Sequence, residues 1–341
     1  TISYSETGGT VLSTNGLSIN SSTGAITGTA GTVSGDTTIN FDLRATANSK
    51  TADRAFSIII KDKPTGGNFI STYTYGGITY NFHKFTSNGS FVVGSNVTAD
   101  IFVLGGGGAS VGDNGGGGGS GGLIFRPSLV LSSGTYSITI GQGGSGGTAG
   151  SQSSSTKGTN TTFGSLLTAL GGGYGGSGNV DASNGGSGGG GGRYGPSGTS
   201  PSAKGTGIQT TDGSISADSR TYGFGFNGGD GRNSSEGPGG GGGGTGANGA
   251  NSSSGTVGNG GNGNSTFINS DATETSAFLF ATLSGTDSSN NAITSSSSGT
   301  LYIGGGRSGG TQNRGTHSGG GSGGLGGGAD IGNASNGNNG Q

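Results

Sequence analysis

The first part of the chain carries the period of β-strands. Residues 37–45 (TTINFDLRA) alternate polar and apolar side chains, the pattern of a strand buried on one face. Residues 55–60 (AFSIII) form a second β-branched run, and Asn48-Ser49-Lys50 between the two is turn chemistry. Upstream, residues 16–20 (GLSIN) and 24–28 (GAITG) read as short strands around a turn at 21–24 (SSTG), and residues 1–5 (TISYS) open in a strand. Many short strands with regular turns predict a β-sandwich over residues 1–63. Residues 64–67 (PTGG) read as a linker. Beyond it, residues 73–85 (YTYGGITYNFHKF) predict a hairpin through Gly76-Gly77, and 90–93 (SFVV) and 99–104 (ADIFVL) continue the strands.

At Leu104 the period stops and a glycine block, residues 105–122, begins. It is interrupted by Leu123-Ile124-Phe125 and by residues 129–140 (LVLSSGTYSITI), which have the form strand, Ser-Gly turn, strand. After Gly141 the glycine texture returns with apolar islands at 163–170, 222–226, 278–283 and 301–303. Apolar runs pass straight into glycine in IFVLGGGG, LTALGGGYGG and LYIGGG, and a flexible linker has no reason to place anchors so regularly.

Glycine loses more backbone freedom on folding than any other residue, so such a block orders only where backbones approach too closely for side chains. A bundle of polyproline II helices meets that condition. Each helix has three residues per turn, a rise of ~3.1 Å and no internal hydrogen bonds. Neighbours can then satisfy one another's N–H and C=O groups, with weak Cα–H···O contacts added. The islands are expected to clamp the ends.

Composition narrows the alternatives. The 341 residues include 90 Gly but only 5 Pro, and the glycines come in uneven runs, which excludes a collagen triple helix. Charged residues are 9% of the chain, while 14 Phe and 9 Tyr are more aromatics than a disordered segment keeps. A net charge of −2 gives no basic excess for nucleic acid or anionic membrane. There is no Cys, so neither disulfides nor thiolate metal sites hold the fold, which is compatible with an extracellular setting. No apolar run approaches the ~20 residues of a membrane span, and no signal peptide is visible. Methionine is absent even at position 1, and we read the chain as part of a longer protein.

Two stretches resemble known families. Residues 17–29 (LSINSSTGAITGT), then Phe41 to Thr46 (FDLRAT) and Phe56-Ser57-Ile58, resemble the Ig-like or cadherin-like repeats of bacterial surface and phage fibre proteins. That resemblance implies a spacer. Cadherin-like members can bind calcium through acidic clusters, but here the strand ending in Arg44-Ala45-Thr46 is followed by no acidic residue until Asp53. Residues 97–341, through words such as VTADIFVLGGGG, GTYSITIG and TALGGG, resemble the glycine-rich domain of tailed-bacteriophage fibre and adhesin proteins; similar text occurs in some animal receptor kinases. Members of that family end on a final apolar strand, which this chain lacks at Asn338-Asn339-Gly340-Gln341. The resemblance implies a virion or extracellular location, a host cell-surface receptor as partner, other virion proteins as neighbours, and room for a homo-oligomer such as a trimer.

Motifs for chemistry are weak. Gly141-Gln142-Gly143-Gly144-Ser145-Gly146 fits the dinucleotide fingerprint, but no helix can open on the Gly147-Thr148-Ala149-Gly150 that follows. The G-x-S-x-G matches at Ser120, Ser145, Ser187 and Ser322 are compositional, and only His83 and His317 exist as bases. Asp212, Asp218, Asp230 and Glu236 are scattered carboxylates with no glycosidase spacing. We therefore expect no enzyme, no metal and no cofactor.

Glycine helices recognise nothing by themselves, so specificity must come from the connecting loops. The candidate receptor-binding residues are Arg193 and Tyr194 in one loop and Arg220, Tyr222, Phe224 and Phe226 in another, with Arg307, Gln312, Asn313, Arg314 and His317 as a polar third group. Phe224 and Phe226 could equally be buried anchors. The expected fold class is mostly β plus irregular: an N-terminal Ig-like β-sandwich over 1–63, the linker at 64–67, and a glycine-rich domain over 68–341. Within the last, β entry strands at 68–104 lead into a polyproline II bundle at 105–341. The expected function is a non-enzymatic fibre or adhesin segment whose aromatic loops cluster at one end of the bundle. The alternatives are a purely structural fibre or capsid-decorating protein acting by self-association, and an ice- or polysaccharide-binding face, for which no regular Thr spacing is visible.

Overall fold

The computed structural model describes residues 1–75, 78–112, 114–146, 155–177, 180–193, 201–233, 237–265, 294–297 and 300–310. It is mostly β-strand with very little helix, and it divides into two units. Unit 1 comprises residues 1–66, 91–98 and 130–135; unit 2 comprises the rest.

Unit 1 opens with β1 (Ser3–Thr7), α1 (Val11–Thr14), β2 (Leu17–Ile19), β3 (Ile26–Gly28), β4 (Thr37–Ala47) and β5 (Lys50–Ile60). The strands expected at 37–45 from alternation and at 55–60 from a β-branched run fall within β4 and β5, and the SSTG turn joins β2 to β3. β4 and β5 pair antiparallel over their full length, from Ala47↔Lys50 to Thr37↔Ile60. They turn on Asn48 and Ser49, with φ of 47° and 63°, the two left-handed positions of a type I′ turn. The sheets are β1-β4-β5 and β2-β3.

The turn of helix α1 was not legible in the sequence. Its N-terminus is held by the Glu6 carboxylate, which accepts from the Val11 N–H at 2.6 Å and the Leu12 N–H at 3.1 Å. Leu12, Ile39, Phe41, Ile60, Phe91, Val93 and Leu131 form the buried apolar core. The stretch read as a linker is not free. Thr65 exchanges two backbone hydrogen bonds with Val92, each 2.9 Å.

Unit 2 begins with the hairpin β6 (Phe69–Tyr75) and β7 (Ile78–Lys84), where a hairpin was expected; Gly76 and Gly77 lie outside the described residues. Along the chain follow β8 (Gly89–Val93), β9 (Val97–Leu104), β10 (Leu123–Leu131) and β11 (Gly134–Thr139), each with some of its residues in unit 1, and then, in unit 2, β12 (Thr161–Phe163), β13 (Leu167–Ala169), α2 (Ala217–Thr221), β14 (Gly223–Phe224), β15 (Thr294–Ser297) and β16 (Thr300–Ile303). Their order is β14-β10-β9 in one sheet and β13-β12-β11-β8 in another. The strand, turn, strand form expected at 129–140 is present, but its two strands, β10 and β11, join different sheets. The islands at 163–170 and 301–303 supply buried Phe163, Leu167, Leu170 and Ile303. The island at 278–283 lies outside the described residues.

Between these strands the glycine segments are buried without belonging to a helix or a sheet. Their hydrogen bonds recur every third residue. The N–H groups of Gly105, Gly108 and Val111 donate to the carbonyls of Gly122, Gly119 and Gly116. Gly116, Gly119 and Gly122 in turn donate to Gly176, Gly173 and Leu170, each at 2.8 Å. Gly117 and Ser120 donate to Gly240 and Gly243 in parallel register. From other sides the carbonyls of Gly117 and Ser120 accept from Gly190 and Ser187, and those of Gly115 and Gly118 accept from Gly310 and Arg307. Segment 115–122 is thus bonded to segments 105–111, 170–176, 187–190, 240–243 and 307–310. A Cβ on Gly116 would sit on the Gly190 carbonyl, which is why that position carries no side chain.

Where the interior holds side chains, they are small and polar. Ser110 Oγ accepts from the Gly118 N–H at 3.0 Å, and Ser120 and Ser187 share a hydroxyl–hydroxyl bond of 3.0 Å. Asx side chains also take up backbone N–H groups of neighbouring segments. Asp181 and Asn184 accept from Ala203 and Thr206, while Asn248 and Asn251 accept from Asn227 and Asp230. The three-residue spacing repeats in each pair.

Candidate functional site

Segment 115–122 has two ends, and the candidate residues divide between them. At its start, the Asn114 carbonyl accepts from the Arg193 N–H at 3.1 Å. At its finish the chain enters β10, where Leu123 and Ile124 pair with Phe224 and Gly223 of β14. Residues 187–193 run antiparallel beside the segment, bonding Ser187 to Ser120, Gly190 to Gly117 and Arg193 to Asn114, so Arg193 stands at the start, with eight residues between it and Leu123. Arg193 is therefore not brought together with Arg220, Tyr222, Phe224 and Phe226, and no shared cluster forms from all of them. Tyr194, Gln312, Asn313, Arg314 and His317 lie outside the described residues; Arg307 is buried, 5% exposed, within the glycine segments.

The group near β10 is not a glycine loop but a helix followed by a strand. Helix α2 starts at Ser216, whose Oγ accepts from the Ser219 N–H at 3.2 Å. Ser219 is fully buried, and its Oγ accepts from the Thr168 N–H at 3.0 Å, tying the helix to β13. Arg220 turns inward: its Nη1 donates to the Ile215 carbonyl at 2.5 Å and to the Asp212 carbonyl at 3.3 Å. Arg126 of β10 pairs with Asp218 through Nε at 2.8 Å, and its guanidinium lies 4.5 Å from the Tyr222 ring centroid. The Asp218 hydrogen bond raises the already high pKa of Arg126, so the cation persists at every working pH. Tyr222 is half-buried under that cation, Phe224 is half-buried in the sheet, and Phe226 is 37% exposed. In Phe226 the backbone is bonded on both sides, to Gly188 and Gly244.

These contacts make the group an intramolecular clamp, with the edge of Phe226 as its most open surface. The carboxylates noted in the sequence are also accounted for individually. Asp212 accepts from the Ser214 N–H at 2.8 Å, which holds its carboxyl below the ordinary value; Asp218 pairs with Arg126, and Asp230 pairs with Lys204 at 2.9 Å. Glu236 lies outside the described residues.

One residue of this region carried no signal in the sequence. Gln209 is completely buried, and both ends of its amide are used. Its Oε1 accepts from the Leu170 N–H at 2.8 Å, and its Nε2 donates to the carbonyls of Thr168 and Ser219 at 3.2 and 3.0 Å. A lone Gln in Ile208-Gln209-Thr210 offers no pattern to read.

The opposite end holds the half-buried Arg193, the left-handed Asn114 at φ 61° and the exposed Arg232. The turn at Ser177 and Val180, whose backbones exchange two bonds, belongs there too, since Gly176 is bonded to Gly116. A family model described as a glycine-rich domain matches residues 86–341. No curated protein and no solved structure matches the chain.

Proposed function

For a chain that belongs to the glycine-rich domain family, we propose the role of a non-enzymatic fibre or adhesin segment that recognises a host-surface receptor through the loops of its glycine-rich part. In this reading the glycine segments are polyproline II helices forming a rigid scaffold, the first unit is an Ig-like spacer, and the location is a virion or extracellular surface. The observation that carries it is the period-three hydrogen-bond ladder around segment 115–122, the repeat of a helix with three residues per turn. A scaffold bonded through its own backbone on every side has no side chains left for recognition, which passes the task to the connections at its ends. Of the two ends, the Arg193–Tyr194 connection is the recognition surface we favour, because it sets a cation beside an aromatic side chain directly after a glycine run.

The test is binding of the fluorescently labelled full chain to a panel of intact bacterial strains, read by flow cytometry. Arg193→Ala and Tyr194→Ala are expected to abolish binding to a recognised strain, while Phe226→Ala leaves it. Loss only with Phe226→Ala would move recognition to the other end, and no binding to any strain would favour the competing reading. That reading, a purely structural fibre or decorating protein, draws its support from the exposed apolar side chains Phe56 and Ile59 of β5.

A further inference from the structure

The glycine segments of unit 2 contain several Asn-Gly steps. Asn followed by Gly is the dipeptide that rearranges most readily in water, because glycine puts no side chain in the way of its own nitrogen. Folding decides which of these steps can react. At Asn184, Asn227 and Asn248 the nitrogen of the next glycine is already engaged. Gly185 N–H donates to the Thr206 carbonyl at 3.2 Å, Gly228 N–H to that of Gly205 at 3.0 Å, and Gly249 N–H to that of Asn227 at 2.9 Å. At Asn114 both residues of the step are buried, and at Asn262 the following Gly263 is buried.

Asn259 differs from all of these. It is exposed, Gly260 is half-buried, and among the described residues the Gly260 N–H donates to no acceptor. The period-three ladder accounts for this. Gly258 and Gly261 donate to the carbonyls of Gly239 and Gly242, and the Asn259 carbonyl accepts from the Ala250 N–H, each at 2.9 Å. With three residues per turn, the Gly260 N–H lies on a different side from those of Gly258 and Gly261 and meets neither neighbour.

We propose that Asn259 is a site of spontaneous deamidation, the step of the glycine segments that the fold leaves open to it. Hydroxide removes the Gly260 amide proton, and the nitrogen attacks Asn259 Cγ. The Cγ–Nδ2 bond breaks, and the side-chain nitrogen takes up a proton and leaves as ammonia. One water then opens the cyclic imide. Cleavage at Cγ gives an aspartate on the original backbone; cleavage at the main-chain carbonyl gives an isoaspartate, with the backbone running through its side chain. The attack requires the peptide between Asn259 and Gly260 to turn, which releases one backbone bond, from the Ala250 N–H. The same turn at Asn227 breaks two, Gly228 N–H to Gly205 and Gly249 N–H to Asn227.

Either product adds a negative charge at an exposed position, and the isoaspartate also adds a carbon to the main chain. A ladder that repeats every third residue cannot absorb the extra atom. The bonds on one side of the insertion, from Gly261 N–H to Gly242 and from Gly306 N–H to Gly261, then fall out of step with those on the other. The modification is independent of the receptor reading above, since it rests on the ladder alone.

The experiment is incubation of the full chain at mildly alkaline pH, in buffer and in denaturant, followed by digestion and electron-transfer fragmentation, which tells aspartate from isoaspartate. In the folded chain Asn259 is expected to convert at least about fivefold faster than Asn184, Asn227 or Asn248, the factor set by opening one backbone hydrogen bond. In denaturant the four should convert at similar rates. Heavy oxygen from labelled water should enter the product, as the imide route requires. Amide exchange at Ala250 should rise in the aged chain and stay unchanged in aged Asn259→Gln, whose longer side chain closes a ring far more slowly. Conversion at Asn184, Asn227 or Asn248 that keeps pace with Asn259 in the folded chain overturns the proposal, as does an Asn259 that converts in denaturant and not in the folded chain.

Discussion

Gly116→Ala tests the packing of the glycine segments at their most enclosed point. The added methyl would fall on the Gly190 carbonyl, which is backbone and cannot rotate aside. Segment 187–190 must then move, and two bonds leave their geometry: Gly190 N–H to Gly117 C=O and Gly176 N–H to Gly190 C=O, both 2.8 Å. A buried backbone group left unsatisfied costs roughly 1–3 kcal/mol, so the pair amounts to about 2–6 kcal/mol. Overpacking alone costs ~1–3 kcal/mol, which overlaps the low end of that range. We expect about 3–5 kcal/mol of destabilisation, a fall in Tm of roughly 6–20 °C for a unit of this size.

Gly213→Ala is the matched control. Nothing lies within 4 Å of its virtual Cβ and its φ is not positive, so the loss of chain entropy in the unfolded state should make it neutral or stabilising by ~0.4–1 kcal/mol. Thermal melting followed by circular dichroism and amide hydrogen exchange reads both variants. If the two melt within a few degrees of each other, the segments are not packed as described and the scaffold argument fails.

Two further outcomes follow from other contacts. Gln209→Leu keeps the volume but leaves the Leu170 N–H and the carbonyls of Thr168 and Ser219 buried without partners; we expect about 2–4 kcal/mol lost in denaturant unfolding, with exchange rising first at Leu170. In unit 1, Asp53 is hydrogen-bonded by Arg44, and that bond holds its carboxyl below the ordinary value. A depressed folded-state pKa contributes stability above the unfolded value of about 3.9 and loses it as pH falls through the folded value. Asp53→Asn should therefore lower the pH dependence of melting below about pH 4 without adding an acid limb of its own, an effect that salt diminishes because the pair is exposed.

What the sequence disclosed, and what it hid, follows from how each contact is encoded. Alternation is a local property of side chains, so β4, β5 and the β2–β3 hairpin were legible at 37–45, 55–60 and 16–28. The apolar islands marked where glycine runs begin. Partner choice among those runs was not legible, because the Gly117 N–H donating to Gly240 while its C=O accepts from Gly190 leaves no trace in residue type. The separation of Arg193 from Tyr222 follows from that same hidden pairing. Likewise, Gln209 and Ser110 do interior work with polar side chains, while patterning arguments search interiors for apolar ones. The strand, Ser-Gly turn, strand form of residues 129–140 marks β10 and β11 but not their partners, and each is claimed by a different sheet.

The burial of segment 115–122 among five other segments also bears on calorimetry. Unfolding exposes mainly peptide groups there, and polar surface lowers the heat capacity of unfolding while apolar surface raises it. Unit 2 should therefore fall below the usual ~12–15 cal/mol/K per residue, giving a stability curve that is broad and flat. A solid held by amides and little else gives up less on cooling than one held by hydrocarbon, so its cold limb recedes far below the working range of ordinary globular domains.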